Sequence, residues 1–177
     1  MDSISSVLIE LEKLKSVNKN TISGFTKRIS QGPPFTKPQN RESHFCVLFI
    51  PFDIVTKKVY IVDHIKAGIW SPPGGHIDLG ENPLTAVKRE FNEELGYVIT
   101  DEKIQLFEAN VTDCIPSGIC RKHYDLFYVV YMRGLEKFRF EEREFNSAGW
   151  YTLDEAIQKI TYPDFNAIMK KLKHIVN

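Results

Sequence analysis

Residues 70–97 read WSPPGGHIDLGENPLTAVKREFNEELGY. The run places a paired-glycine turn ahead of an amphipathic helix rich in glutamate. With Leu84 at zero and about 100° per residue, Val87, Phe91 and Leu95 fall within about 60° of it, an apolar stripe that predicts the buried face. On the same wheel Glu90, Glu93 and Glu94 fall between roughly 180° and 280°, an acidic patch at i, i+3, i+4 beside the stripe. Like charges so placed cost an isolated helix a few tenths of a kcal/mol per pair, so the pattern calls for cations on the carboxylates.

Hard oxygen donors without thiolates in the run favour Mg²⁺ or Mn²⁺ over zinc. Mg²⁺ takes few carboxylates and keeps its other positions for water and substrate phosphate. Gly74 and Gly75 permit positive φ and a close backbone approach, so that a main-chain carbonyl or amide there reaches metal or phosphate where a side chain would be in the way. Phosphate chemistry is the leading expectation from these residues.

The order Gly75, five residues, Glu81, seven residues, Arg89-Glu90-Phe91, one residue, Glu93-Glu94, one residue, Gly96-Tyr97 resembles the signature box of the Nudix hydrolase family. All its fixed identities are present, and at roughly one in fifteen per residue type a chance match is on the order of 10⁻⁸ per starting position. Phe91 and Tyr97 fill slots that are usually aliphatic, a departure that bears on packing more than on chemistry. The resemblance implies that Glu90, Glu93 and Glu94 hold divalent metal, directly or through water, with the Gly75 carbonyl. It also implies that Glu81 and Arg89 pair with each other or with a neighbouring glutamate to fix the loop against the helix. Gly74 and Gly96 support the same turn and helix end. A solvated helix face is the bland alternative for the acidic patch.

Composition sets the frame. The chain has 177 residues, enough for a core without disulfides, and its 23 Lys and Arg balance its 23 Asp and Glu, so no global field draws it to nucleic acid or to acidic membranes. Cys46, Cys114 and Cys120 are odd in number and form no C-x-x-C pair, which predicts reduced thiols and a cytoplasmic location. A zinc set of Cys114, Cys120 and His123 lacks a fourth ligand and the usual spacing. No apolar run reaches the length of a membrane span.

Ile4, Val7, Leu8, Leu11 and Leu14 recur at helical spacing and predict a structural N-terminal helix. Residues 17–42, with Gly24, Gly32, Pro33, Pro34 and Pro38, read as a connector. Strands are expected at 44–50, ended by Pro51, then at 58–64, at about 104–111 and at about 122–133, making a mixed sheet. The connection TDCIPSGICR lies where substrate contacts are often found. His123 and Asp125 share a strand face. They are candidates to touch substrate or water at the metal, or an imidazole bonded to a carboxylate for structure alone. His76, directly after the glycines, is a candidate to position the loop or a phosphate. Glu141, Glu142 and Glu144 offer an additional carboxylate of the kind the resemblance implies for this part of the chain, and compete with Glu90 for the role of general base. A helix capped by Thr152 and a last helix with Phe165, Ile168, Met169, Leu172 and Ile175 on one face complete the chain.

The expected fold is α/β, a Nudix-type α/β/α sandwich with a mixed sheet over 43–177, preceded at 1–42 by an N-terminal helix and connector. The implied activity is Mg²⁺-dependent hydrolysis, with Mn²⁺ as the alternative ion, of a diphosphate in a nucleoside diphosphate linked to another moiety, such as a nucleoside triphosphate, nucleotide sugar or ADP-ribose. A nucleotide-binding sensor without turnover is the second class, and an RNA 5′-end pyrophosphohydrolase a third that neutral charge does not favour. The expected partner is a small nucleotide-type molecule, with neither membrane nor nucleic acid, acting on a monomer or homodimer.

Overall fold

Apolar runs bounded by turn residues become strands β1 (Ser43–Asp53), β2 (Lys58–His64), β3 (Ile69–Ser71), β4 (Gly74–His76), β5 (Lys103–Asp113), β6 (Lys122–Met132) and β7 (Phe145–Thr152). The helices are α1 (Ser3–Lys13), α2 (Lys19–Ser30), α3 (Pro83–Leu95), α4 (Leu153–Lys159) and α5 (Pro163–Val176). The computed structural model describes residues 3–14, 16–113 and 120–176, so Cys114 and most of the connection expected to meet substrate lie outside the described residues. Strand order is β3-β2-β1-β6-β5, with β4 paired to β1 and β7 to β2. This is the mixed sheet with flanking helices of the α/β class. The chain divides into two compact units. One is built from Met1–Leu48, Gly74–Val87 and Leu106–Tyr128, the other from Phe49–Pro73, Lys88–Gln105 and Val129–Asn177.

In the first unit the supposed connector contains α2. Asn18 caps it by accepting from the Asn20 amide. Its buried face is Phe25, edge-on to the rings of Phe45 and Tyr124 at 5.6 and 5.3 Å, together with Arg28. The Arg28 guanidinium donates to the carbonyls of Gly32 and Pro34 and to the Ser43 hydroxyl, and lies 5.0 Å from the centre of the Phe35 ring. Burial lowers its pKa, and these acceptors stand in for lost water. α1 packs on α2, and its Val7 and Leu11 are buried.

In the second unit β2 pairs antiparallel with β3 and, along its whole length, with β7, a strand the sequence reading had not separated from the acidic run before it. Pro51 does not end β1, which runs on to Asp53 and pairs there with β2. Proline keeps φ in the extended range and removes only one donor, which a strand tolerates where the ladder does not need it. The core is aromatic. Phe49 stacks on Phe91 at 4.9 Å, Phe91 meets Phe138 at 5.4 Å, and Phe138 meets Tyr97, Trp150 and Tyr60 at 5.6, 5.6 and 4.9 Å. Aromatic side chains at 91 and 97 thus complete a cluster of rings instead of disturbing an aliphatic core. Thr152 forms a full capping box with Glu155 at the start of α4. On α5, Ile168, Met169 and Leu172 are buried, whereas Ile175, expected on the same face, is 62% exposed near the helix end.

Candidate functional site

The buried arc of α3 is rotated from the apolar stripe towards the acids. Leu84, expected inside, is 47% exposed, while Ala86, Val87, Phe91 and Leu95 are fully buried and Glu90 and Glu94 are only 9% and 4% exposed. Two of the three candidate metal-binding carboxylates therefore lie within the buried face, and Glu93 stands out from it. Arg89 joins them: its Nη1 donates to Glu90 Oε1 at 2.8 Å and to Glu93 Oε2 at 3.0 Å. Of the pairings expected for Arg89, these are with neighbouring glutamates. Burial pushes the Glu90 carboxyl above the usual range, the Arg89 bond opposes this, and the charges of Glu93 and Glu144 add to the rise. The helix face carries anions that its own surroundings penalise, which a bound cation would relieve.

The segment after β6 is stitched to the end of α3. Gly96 ends the helix with φ of 62°, its amide donating to Asn92, and a Cβ there would lie 3.1 Å from the Arg139 carbonyl oxygen. The Arg139 amide donates to the Leu95 carbonyl at 2.9 Å and the Glu141 amide to the Glu94 carbonyl at 2.8 Å, satisfying last-turn acceptors. A turn follows in which the amides of Glu144 and Phe145 both reach the Glu141 carbonyl. This attachment explains why an acid some fifty positions along the chain is felt at Glu90. Of the three outer carboxylates expected to offer a general base, Glu144 is the one whose charge acts on Glu90; it and Glu142 are exposed, and Glu141 is half-buried.

The remaining candidates fall in the first unit. Gly74 has φ of 151°, and a Cβ there would sit 2.2 Å from the Val47 carbonyl oxygen, so only glycine fits. Gly75 lies opposite Val47 on β1. Glu81 accepts from the Asp78 amide at 2.9 Å and so braces the loop ahead of α3. Asp125, 2% exposed, accepts from the Thr112 hydroxyl at 2.6 Å. His123 instead joins His76 and His44, with ring centroids 4.8–5.4 Å apart, and Cys46 stands with them. The sequence reading missed His44 and Cys46, although their two-residue spacing on an expected strand already put them on one face. Cys46 and Cys120 form no disulfide among the described residues, and Cys114, the remaining member of the weak zinc set, is outside them.

A family model described as NUDIX domain matches residues 40–172. An m7GpppN-mRNA hydrolase NUDT17 of Xenopus laevis is 29% identical over 119 residues, 59% of this chain and 40% of that protein. Its Danio rerio namesake is 31% identical over 67 residues, 35% of this chain and 22% of that protein. The chain thus spans less than half the length of these curated relatives. Among solved structures, the Escherichia coli dihydroneopterin triphosphate pyrophosphohydrolase superposes with a TM-score of 0.65 at 13% identity, covering 78% of this chain and 97% of that one. A Caenorhabditis elegans Ap4A hydrolase gives 0.62 at 18%, covering 75% and 96%. At such identities the likeness is one of fold. Among the described residues no helix is long and apolar enough to cross a membrane.

Proposed function

The chain belongs to the Nudix family, and from that premise we propose that it is a divalent-metal-dependent pyrophosphohydrolase cleaving the diphosphate of a nucleoside diphosphate linked to a further group. The observation that carries this reading is the carboxylate set on α3, with Glu90 and Glu94 buried, Glu93 exposed and Arg89 bonded to Glu90 and Glu93. An all-oxygen donor set with its charge penalised by burial suits Mg²⁺ or Mn²⁺. Glu90, Glu93 and Glu94 would hold the ion, and the part of Gly75 remains the one the resemblance implies. When bound, such an ion lowers the pKa of attacking water and offsets charge on the phosphoryl oxygens.

The chain's own residues supply geometry and proton transfer. Arg89 holds two of the three carboxylates in a fixed relation, which limits the reorganisation needed when substrate arrives. Glu144 is the carboxylate we assign to accept the proton of attacking water, because it is exposed and near enough for its charge to act on Glu90; Glu142 is its alternative. A second reading, action on the capped 5′ end of RNA, is favoured by the names of the two curated relatives. A cap is itself a nucleoside diphosphate joined to a further group, so both readings use the same phosphate chemistry.

The test is turnover of nucleoside triphosphates, dinucleoside polyphosphates, nucleotide sugars, ADP-ribose, the cap dinucleotide and capped RNA, with Mg²⁺, with Mn²⁺ and with chelator. Hydrolysis of one class that stops with chelator supports the proposal. Tight binding across the panel without product would make the protein a nucleotide sensor.

A further inference from the structure

Four nitrogen and sulfur donors meet in the first unit, apart in chemistry from the carboxylates of α3. His44 and Cys46 share one face of β1, His76 on β4 is the direct cross-strand partner of Cys46, and His123 stands on β6. Each offers a ligand atom, and these atoms all lie within 4.8 Å of one another. His44 is fully buried and Cys46 is 5% exposed. The His44 ring is already oriented. Its Nδ1 lies 2.8 Å from the Asn40 carbonyl, which can only accept, so Nδ1 carries the proton and Nε2 presents its lone pair. The Nε2 atoms of His44 and His123 are buried with no hydrogen-bond partner among the described residues. Buried polar atoms are rarely left so, and each such case calls for an explanation.

We propose that His44, Cys46, His76 and His123 bind one Zn²⁺ ion in a closed tetrahedral site. Zinc takes imidazole nitrogen at about 2.0–2.1 Å and thiolate sulfur at about 2.3 Å, so its donors stand roughly 3.3–3.8 Å apart, and the four here close on it with about 1 Å of side-chain movement. Three imidazoles and one thiolate are a borderline-soft set that selects zinc over magnesium. With every position filled by protein, the ion is structural. It would tie β1, β4 and β6 together and anchor the residue that directly follows Gly74 and Gly75. The assignment uses none of the carboxylates and stands whether or not the proposed hydrolysis is found.

The full-length protein, stripped with chelator and titrated with Co²⁺, is expected to bind one equivalent with a thiolate-to-cobalt charge-transfer band and the intense visible bands of a tetrahedral ion. Equimolar Zn²⁺ should bleach both. Cys46→Ser should lose the charge-transfer band, and His123→Asn should bind Zn²⁺ at least about tenfold more weakly. Glu93→Gln should leave the cobalt spectrum unchanged, since it alters only the carboxylate set. With excess Mg²⁺ present to occupy the carboxylates of α3, equimolar Zn²⁺ should raise the Tm of the stripped wild type and not that of Cys46→Ser; if Cys46→Ser fails to fold, His76→Gln takes its place. A wild-type protein that shows no thiolate band with Co²⁺ overturns the proposal without recourse to any variant, as does a band that survives Cys46→Ser.

Discussion

Glu90, Glu93 and Glu94 sit in three different environments, and that difference makes the set testable one side chain at a time. Glutamine at any of them keeps the shape and removes the charge a cation needs, so kcat measured at saturating Mg²⁺ should fall by about two orders of magnitude or more in each variant. Stability should separate them. Glu90 carries a buried charge whose burial pushes its pKa up, so in chelator Glu90→Gln should melt no lower than wild type. Arg89→Ala leaves the carboxylates without the bridge to Glu90 and Glu93. It should lower the Tm in chelator and enlarge the rise that Mg²⁺ produces, because the ion then relieves more repulsion. Calorimetry with and without Mg²⁺ checks both, and an unchanged Tm for Arg89→Ala with activity lost would make that side chain a direct phosphate contact. The identities at these positions were legible because the box fixes them at set spacings. Their burial was not, since a helical wheel ranks faces by apolar side chains and here the buried arc runs through two glutamates. The grouping of the histidines was hidden for a related reason: His76 and His123 stood out singly, but His44, His76 and His123 are scattered over three strands, and only strand pairing brings them together.

At the scale of elements, α2 shows where periodicity fails as a guide. Its inward face is a phenylalanine and an arginine, and Gly24 reads as a break in the pattern. In the fold that glycine lets the helix approach β5, since a Cβ there would meet Val111 Cγ2 at 3.2 Å. Phe25→Ala should cost about 3–5 kcal/mol in urea unfolding, the range for emptying a fully buried aromatic site. A loss under 1 kcal/mol would mean that α2 is a loosely held extension. The cap of α4, by contrast, was readable from Thr152 because its partner, Glu155, lies within the same turn. Thr152→Ala should cost about 1 kcal/mol, measured in the same way. β7 escaped notice because its residues, FNSAGWYT, alternate poorly and most are only half-buried; its pairing with β2, not its own pattern, makes it a strand.

For the molecule as a whole, the box was enough to name the family, because the box is local, but the group beyond the diphosphate is read by segments whose sequence carries no such rule. Net charge bears on that choice. Lys and Arg equal Asp and Glu, 23 of each, so the protein presents no global positive field to a nucleic-acid strand. If it acts on capped RNA, recognition should therefore rest on the cap and not on the body. A strand contact that neutralises Z phosphates makes log affinity fall with log salt at a slope of about −0.7Z. With few such contacts, kcat/KM for a capped oligonucleotide of about twenty nucleotides should stay within about threefold of that for the cap dinucleotide, and its salt slope should be shallower than about −2. Parallel salt titrations on the two substrates measure this. A slope of about −4 or steeper for the oligonucleotide, with a flat line for the dinucleotide, would require a local basic track along which the strand lies. The balanced totals would then conceal an uneven distribution, and RNA ends would displace small nucleotides as the substrate class.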